Sequence, residues 1–184
     1  SLQDISNVAA SLIPGLNKNT IVLVESTGFV NLEPFLKNCF PANLQLSVFS
    51  IITSIDIRKI SRNEFALLPN NREIYIGESN TSSSKFSKTT QQNLNALSKL
   101  FQYNNTDDLK VILKSTYLEF LVEEWKFAIP RICFDPLLIL FEEKTPSNLS
   151  SQILAKPLLS GLATELITVA KTMGCKLPAG FDNE

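Results

Sequence analysis

The feature that most narrows what this chain can fold into is a run late in its length, EEWKFAIPRICFDPLLILFEE, from Glu123 to Glu143. Trp125, Phe127, Ile129, Ile132, Cys133, Phe134, Leu137, Leu138 and Leu140 make its middle apolar enough for a buried helix. Yet Arg131 and Asp135 sit inside it, four residues apart, which on a helix means one face, one turn on. The pair is either an ion pair on a solvent-facing stripe or a pair of groups that face a cleft. Pro130 removes one backbone hydrogen bond and bends such a helix. The glutamates that bracket the run, Glu123, Glu124, Glu142 and Glu143, read as solvated charge, and Cys133 reads as a small buried hydrophobe.

A chain of 184 residues is enough for one domain or one and a half. Lysine and arginine number 17 against 18 acids, so no basic excess points to nucleic acid. No apolar run is long enough to span a membrane. Histidine is absent, which removes the commonest general base and the commonest metal ligand, and no metal site is expected. Cys39, Cys133 and Cys175 are far apart and form no CxxC, a pattern that fits reduced thiols in a cytoplasmic protein.

Along the chain, Leu2, Ile5, Val8, Ala9 and Leu12 fall at helical spacing, and PGLNKNT breaks the pattern. IVLV, residues 21 to 24, is the short β-branched run of a buried parallel strand. ESTG and a helical FVNLEPFLKNCF follow, giving helix, strand, tight turn, helix. LQLSVFSIITSIDIRKI reads as strand, and NEFALLP and REIYIG as two more strands turned at PNNR. A polar Ser/Thr-rich connector, residues 81–90, then divides the chain. Everything beyond it reads as helical. Residues 107 to 129 form one helix with acids first, and residues 147 to 174 form one long amphipathic helix capped by Gly174. The expected organisation is an α/β unit over 1–80, the connector, and an incomplete helical unit over 91–184. The core of the helical unit is expected at Trp125, Phe134, Leu138, Leu158, Leu162, Leu166 and Val169.

Four stretches, in this order, resemble the ketopantoate reductase family. NTIVLVESTGFVNLEPFL is similar to that family's strand, Gln-Asn-Gly turn and helix, and SVFSIITSIDIRKISRNEFALLPNNREIYIG to its following strands. EEWKFAIPRICFDPLLILFE is similar to the helix that begins W-x-K and continues through N-x-x-x-N-P, and LLSGLATELITVAKTMGCKLP to its L-x-x-E-x-x-x-V-A-x-x-x-G-x-x-x-P helix. The resemblance implies α/β plus all-α: a partial Rossmann-type layer followed by a helical, 6-phosphogluconate-dehydrogenase-like C-terminal domain. It also implies NADPH as cofactor and a 2-keto acid such as 2-dehydropantoate as substrate.

Carried over residue by residue, the resemblance puts the family's proton-donating lysine at Phe127. It puts the two asparagines at Arg131 and Asp135, and the Gln-Asn-Gly turn at Ser26-Thr27-Gly28. The former cleft would thus be lined by Thr27, Phe127, Arg131 and Asp135, with no catalytic residue among them. Phenylalanine neither donates a proton nor polarises a carbonyl. Lys126 is one step of about 100° away from the lysine position. Six glycines include no GxGxxG, so the phosphate-cradling loop expected upstream in a Rossmann domain is not in this sequence. The family's distal serine and glutamate would lie beyond residue 184. The reading that follows is a non-catalytic relative without bound cofactor, acting through a protein partner or self-association. The alternative is an NADPH-dependent reductase that uses altered residues.

Overall fold

A computed structural model describes residues 2–30, 32–44, 46–54, 57–61, 64–67, 73–78, 88–103 and 110–181. The described chain divides into two units, one of residues up to Thr27 together with Asn31–Phe120, the other of Gly28–Val30 with Leu121 onward.

In the first unit, α1 (Leu2–Leu12) leads to β1 (Ile21–Glu25), α2 (Leu32–Cys39) and β2 (Ser47–Thr53). β1 and β2 are parallel, with Val22 beside Val48, so α2 is the crossover between them. β5 (Glu73–Gly77) pairs antiparallel with β2, and β6 (Lys110–Leu113) pairs parallel with β5, giving a mixed sheet in the order β1-β2-β5-β6. The segment expected as one strand from 44 to 60 is split: its second part is β3 (Ile57–Ser61), which forms a separate hairpin with β4 (Glu64–Leu67). The PNNR turn and residues 81–87 of the connector lie outside the described residues.

Strand alternation builds the core. Val22, Val24 and Val48 point to one face of the sheet, where they meet Ala9 of α1 and Leu32 and Leu36 of α2. Ile21, Leu23, Phe49, Ile51 and Ile76 point to the other, against Leu94 and Leu97 of α3 (Lys88–Tyr103). Both faces of the sheet are therefore covered, which is why IVLV has no polar alternation.

Two expectations for the region after the connector are corrected. Lys110–Leu113 is a strand, not the start of a helix. Its KVIL sequence is β-branched and finds an open edge at β5, so the α/β unit runs past residue 80 and includes α3 and β6. The helix begins only at Tyr117, as α4 (Tyr117–Leu140). A capping box formed by Ser115, Thr116 and Glu119 starts it. Thr116 Oγ1 accepts from Glu119 N at 3.2 Å, and the Glu119 carboxylate accepts from Ser115 N at 3.0 Å and Ser115 Oγ at 2.8 Å.

In the second unit α4 continues from Leu121, followed by α5 (Pro146–Ser151) and α6 (Ala155–Thr172). The single helix expected over 147 to 174 is two. Pro157 has no N–H for the carbonyl of Ile153, so the helix restarts with Pro157 in its first turn. The break shifts the helical phase. Ala155, Ile167 and Ala170 take the buried positions, Leu162 and Leu166 are half-buried, and Leu158 and Val169, expected in the core, are each 46% exposed. Leu137, Leu149 and Ala155 form the packed centre, with Phe134, Leu138 and Leu162 beside it. Gly174 caps α6 as expected: its φ is +83°, its N–H donates to Lys171 O, and Cys175 N donates to Ala170 O.

Gly77 is fixed by packing. A Cβ there would lie 2.4 Å from Phe120 Cγ and Cδ2, deep in the first unit, where Phe120 is fully buried. Gly77→Ala is expected to destabilise the chain by about 1–3 kcal/mol, read by urea denaturation, because the ring has no free volume into which to move. A second expectation concerns the α4 cap. Hydrogen bonds from Ser115 hold the Glu119 carboxyl below its usual value, so the charged form stabilises the fold. That contribution is present above the ordinary glutamate pKa and is lost as pH falls through the lowered one. Glu119→Gln should therefore lower stability near neutral pH, and the gap from the parent should close in acid.

Candidate functional site

The expected site residues fall on two pieces of structure, the turn after β1 and the exposed side of α4. In the first unit, the Ser26-Thr27 turn spends its hydroxyls on the sheet. Ser26 is fully buried, and its Oγ donates to Ile51 O at 3.3 Å while its N–H donates to the same oxygen at 2.8 Å. Thr27 Oγ1 accepts from Thr53 N at 3.0 Å, and Thr27 N donates to Glu25 Oε1 at 3.1 Å. These groups knit β1 to β2. They do not present the free donors that a dinucleotide phosphate or nicotinamide would require, and the turn does not fit that cofactor.

In the second unit, α4 carries Phe127, Arg131 and Asp135 in successive turns. Leu121, Trp125, Ile129, Cys133 and Leu137, also four apart, are all buried. At about 100° per residue, Phe127 stands roughly 160° from Ile129 on this helix, and Arg131 is equally far from Cys133. The structure accordingly leaves Arg131 and Asp135 exposed or half-exposed and Phe127 half-buried. Through Ile129 the helix is buried on nearly all sides. From Pro130 onward only the Cys133–Leu137 stripe remains covered, and both Pro130 and Pro136 lie on the exposed side.

Arg131 and Asp135 share a face as the spacing requires, but no ion pair joins them among the described residues. Arg131 lies instead over the backbone of Gly28, the residue after Thr27: a Cβ on Gly28 would be 2.8 Å from Arg131 Cδ and 3.1 Å from Nη1. Gly28 also has φ +86°, so both its conformation and its neighbour demand glycine. Phe29, next in the chain, is 60% exposed.

The acids before Trp125 read from sequence as solvated, and this is corrected. Glu124 is fully buried and Glu123 is 6% exposed. Glu123 Oε2 accepts from Lys126 Nζ at 2.8 Å, so the lysine nearest the family's proton-donor position is held in an ion pair on its own helix. The doublet Glu123-Glu124 inside an apolar run is the available signal, because a carboxylate surrounded by Leu121, Trp125 and Ala128 cannot reach water from every rotamer. Trp125 Nε1 is buried without a hydrogen-bond partner among the described residues. Cys133 and Cys175 are buried free thiols. Burial raises both, and burial together with the Glu123 charge pushes Cys175 up to about 11. Among the described residues no group of histidine, cysteine or carboxylate side chains could hold a metal, and no helix is long and apolar enough to cross a membrane.

Neither Cys133 nor Cys175 should react with a thiol reagent in the native chain at mildly alkaline pH, and both should appear on denaturation. Glu123→Gln should lower the Cys175 pKa, since it removes the negative charge that adds to the burial effect. A pH series of native-state labelling followed by peptide mapping checks both statements.

No protein-family model matches the chain. Among curated proteins it is 46% identical over its whole length to Styryl dye vacuolar localization protein 3 of Saccharomyces cerevisiae, and 38% identical over its whole length to Protein PAM1 of the same organism. The chain spans only 22% and 23% of those two relatives. Among solved structures, 97% of it superposes on 52% of a PanE/ApbA family ketopantoate reductase from Ralstonia eutropha, with a TM-score of 0.68 at 15% identity. It likewise places 94% of its length on 49% of 2-dehydropantoate 2-reductase from Methylococcus capsulatus, with a TM-score of 0.64 at 17% identity. The fold is a ketopantoate-reductase-like one: a partial Rossmann-like layer followed by a helical part.

Proposed function

We propose that this chain is a non-catalytic version of the ketopantoate-reductase fold, used as a binding or scaffolding module in the cytoplasm, through a protein partner or self-association. The observation that carries the reading is the ion pair of Lys126 with the buried Glu123. By resemblance the proton donor's place is taken by Phe127, whose ring supplies no proton. The one lysine beside it has its ammonium directed to a carboxylate on the preceding turn, so a slip of one residue in the resemblance does not restore a free donor. The other positions carried over from the family support the same reading. Charged Arg131 and Asp135 stand where the family has neutral amides, and the hydroxyls of Ser26 and Thr27 are committed to the sheet. The name of one relative concerns vacuolar localization and not a reaction, which is in line with a role in placement.

The deciding experiment is an assay of the natural polypeptide that carries these residues, with NADPH and a panel of 2-keto acids. No turnover is expected, and Phe127→Lys alone should create none, because the amide positions and the turn are altered as well. Calorimetry should show no micromolar NADPH binding to residues 1–184. Turnover by the unmodified protein that disappears in Lys126→Ala would overturn the proposal and make the chain an NADPH-dependent reductase.

A further inference from the structure

We infer that β1 is an interior strand in the natural polypeptide, and that its open edge receives a further parallel strand from sequence outside residues 1–184. β1 stands at the end of the sheet order, paired only with β2. Its residues are nonetheless those of a strand with neighbours on both sides. Ile21 and Leu23 pack into the cluster on one face, and Val22 and Val24 into the cluster on the other. No charged residue, proline or bulge interrupts Ile21–Val24, the devices by which proteins usually protect an edge. The other edge shows the contrast. β6 is four residues long and bracketed by Lys110, whose side chain is 70% exposed, and Lys114, which lies over the Tyr75 ring. Beyond the β2 ladder, the backbone of Ile21–Glu25 makes no hydrogen bond among the described residues. Consecutive residues of a strand direct their N–H and C=O groups to opposite sides, so alternate residues of β1 hold an unpaired donor and acceptor row.

The occupant follows from the chemistry and from the length of the relatives. A row of main-chain groups between two covered apolar faces accepts an extended segment that is itself apolar and β-branched, and such a run is characteristic of parallel sheets. The curated relatives match this chain over its whole length yet are several times longer, so a strand of the same polypeptide is the partner at hand. A second copy is the competing occupant. Its β1 would pair antiparallel across a two-fold axis and would come and go with concentration.

The test is amide hydrogen exchange at residue resolution on the natural polypeptide carrying residues 1–184. The amides of Val22, Leu23 and Val24 are all expected to be protected to the level of Phe49–Ile51 in β2, and to remain so on dilution. If alternate β1 amides exchange as fast as the outward amides of β6, the edge is open and the inference fails. If protection of β1 falls on dilution in step with dissociation of a dimer, the occupant is a second copy and the inference fails equally. Neither result depends on whether the protein reduces a keto acid.

Discussion

The strand β2 has neighbours on both edges and helices over both faces, and most of the first unit is arranged around that constraint. Val48 and Ile52 are buried, as are Phe49 and Ser50, so no face of the strand is left for water. A strand in that position must be apolar in both registers, must be flanked by partners that satisfy its main chain, and must find a helix for each face. β1 and β5 meet the second demand, and α2 and α3 sit over opposite faces. The Ser26 and Thr27 hydroxyls follow from the same constraint. They sit where β1 ends, and they satisfy Ile51 O and Thr53 N at the end of β2.

The α/β opening was legible in the sequence because its signals are local. Helical spacing in α1, the IVLV run and the break at PGLNKNT each stand within a dozen residues. β6 was not legible, since KVIL is equally at home in an amphipathic helix and only the open edge of β5 makes it a strand. The capping box at Thr116 and Glu119 was the discriminating local signal: it places the helix start at Tyr117 and leaves Lys110–Leu113 outside. The break between α5 and α6 had a local signal too, Pro157, which the apolar repeat around it concealed.

Why Pro157 ends a helix when Pro130 does not is a matter of what is packed on either side. Ala128, Ile129 and Cys133 flank Pro130 and are all buried, so tertiary contacts hold the helix across the missing hydrogen bond. The residues before Pro157 have no such hold: Ile153 is 85% exposed and Leu154 74%. A proline in a helix interior costs about 3 kcal/mol, which burial of two or three side chains offsets and solvent exposure does not.

The same distribution of packing explains the character of the candidate site. Up to Ile129, α4 is enclosed, and a carboxylate there must be paired or hydrogen-bonded, as Glu123 is with Lys126. Beyond Pro130 the helix shows its outer side, where Arg131 and Asp135 carry charge without the cost of full desolvation. The choice between an ion pair and a cleft for Arg131 and Asp135 therefore resolves into a solvent-facing stripe without an ion pair between them, with Arg131 laid along Gly28. Two residues that read from sequence as the oddity in the helix are physically ordinary. The buried Glu123 and Glu124, which read as ordinary, are the ones that the helix must accommodate, and by fixing Lys126 the first of them determines what the rest of this face is able to do.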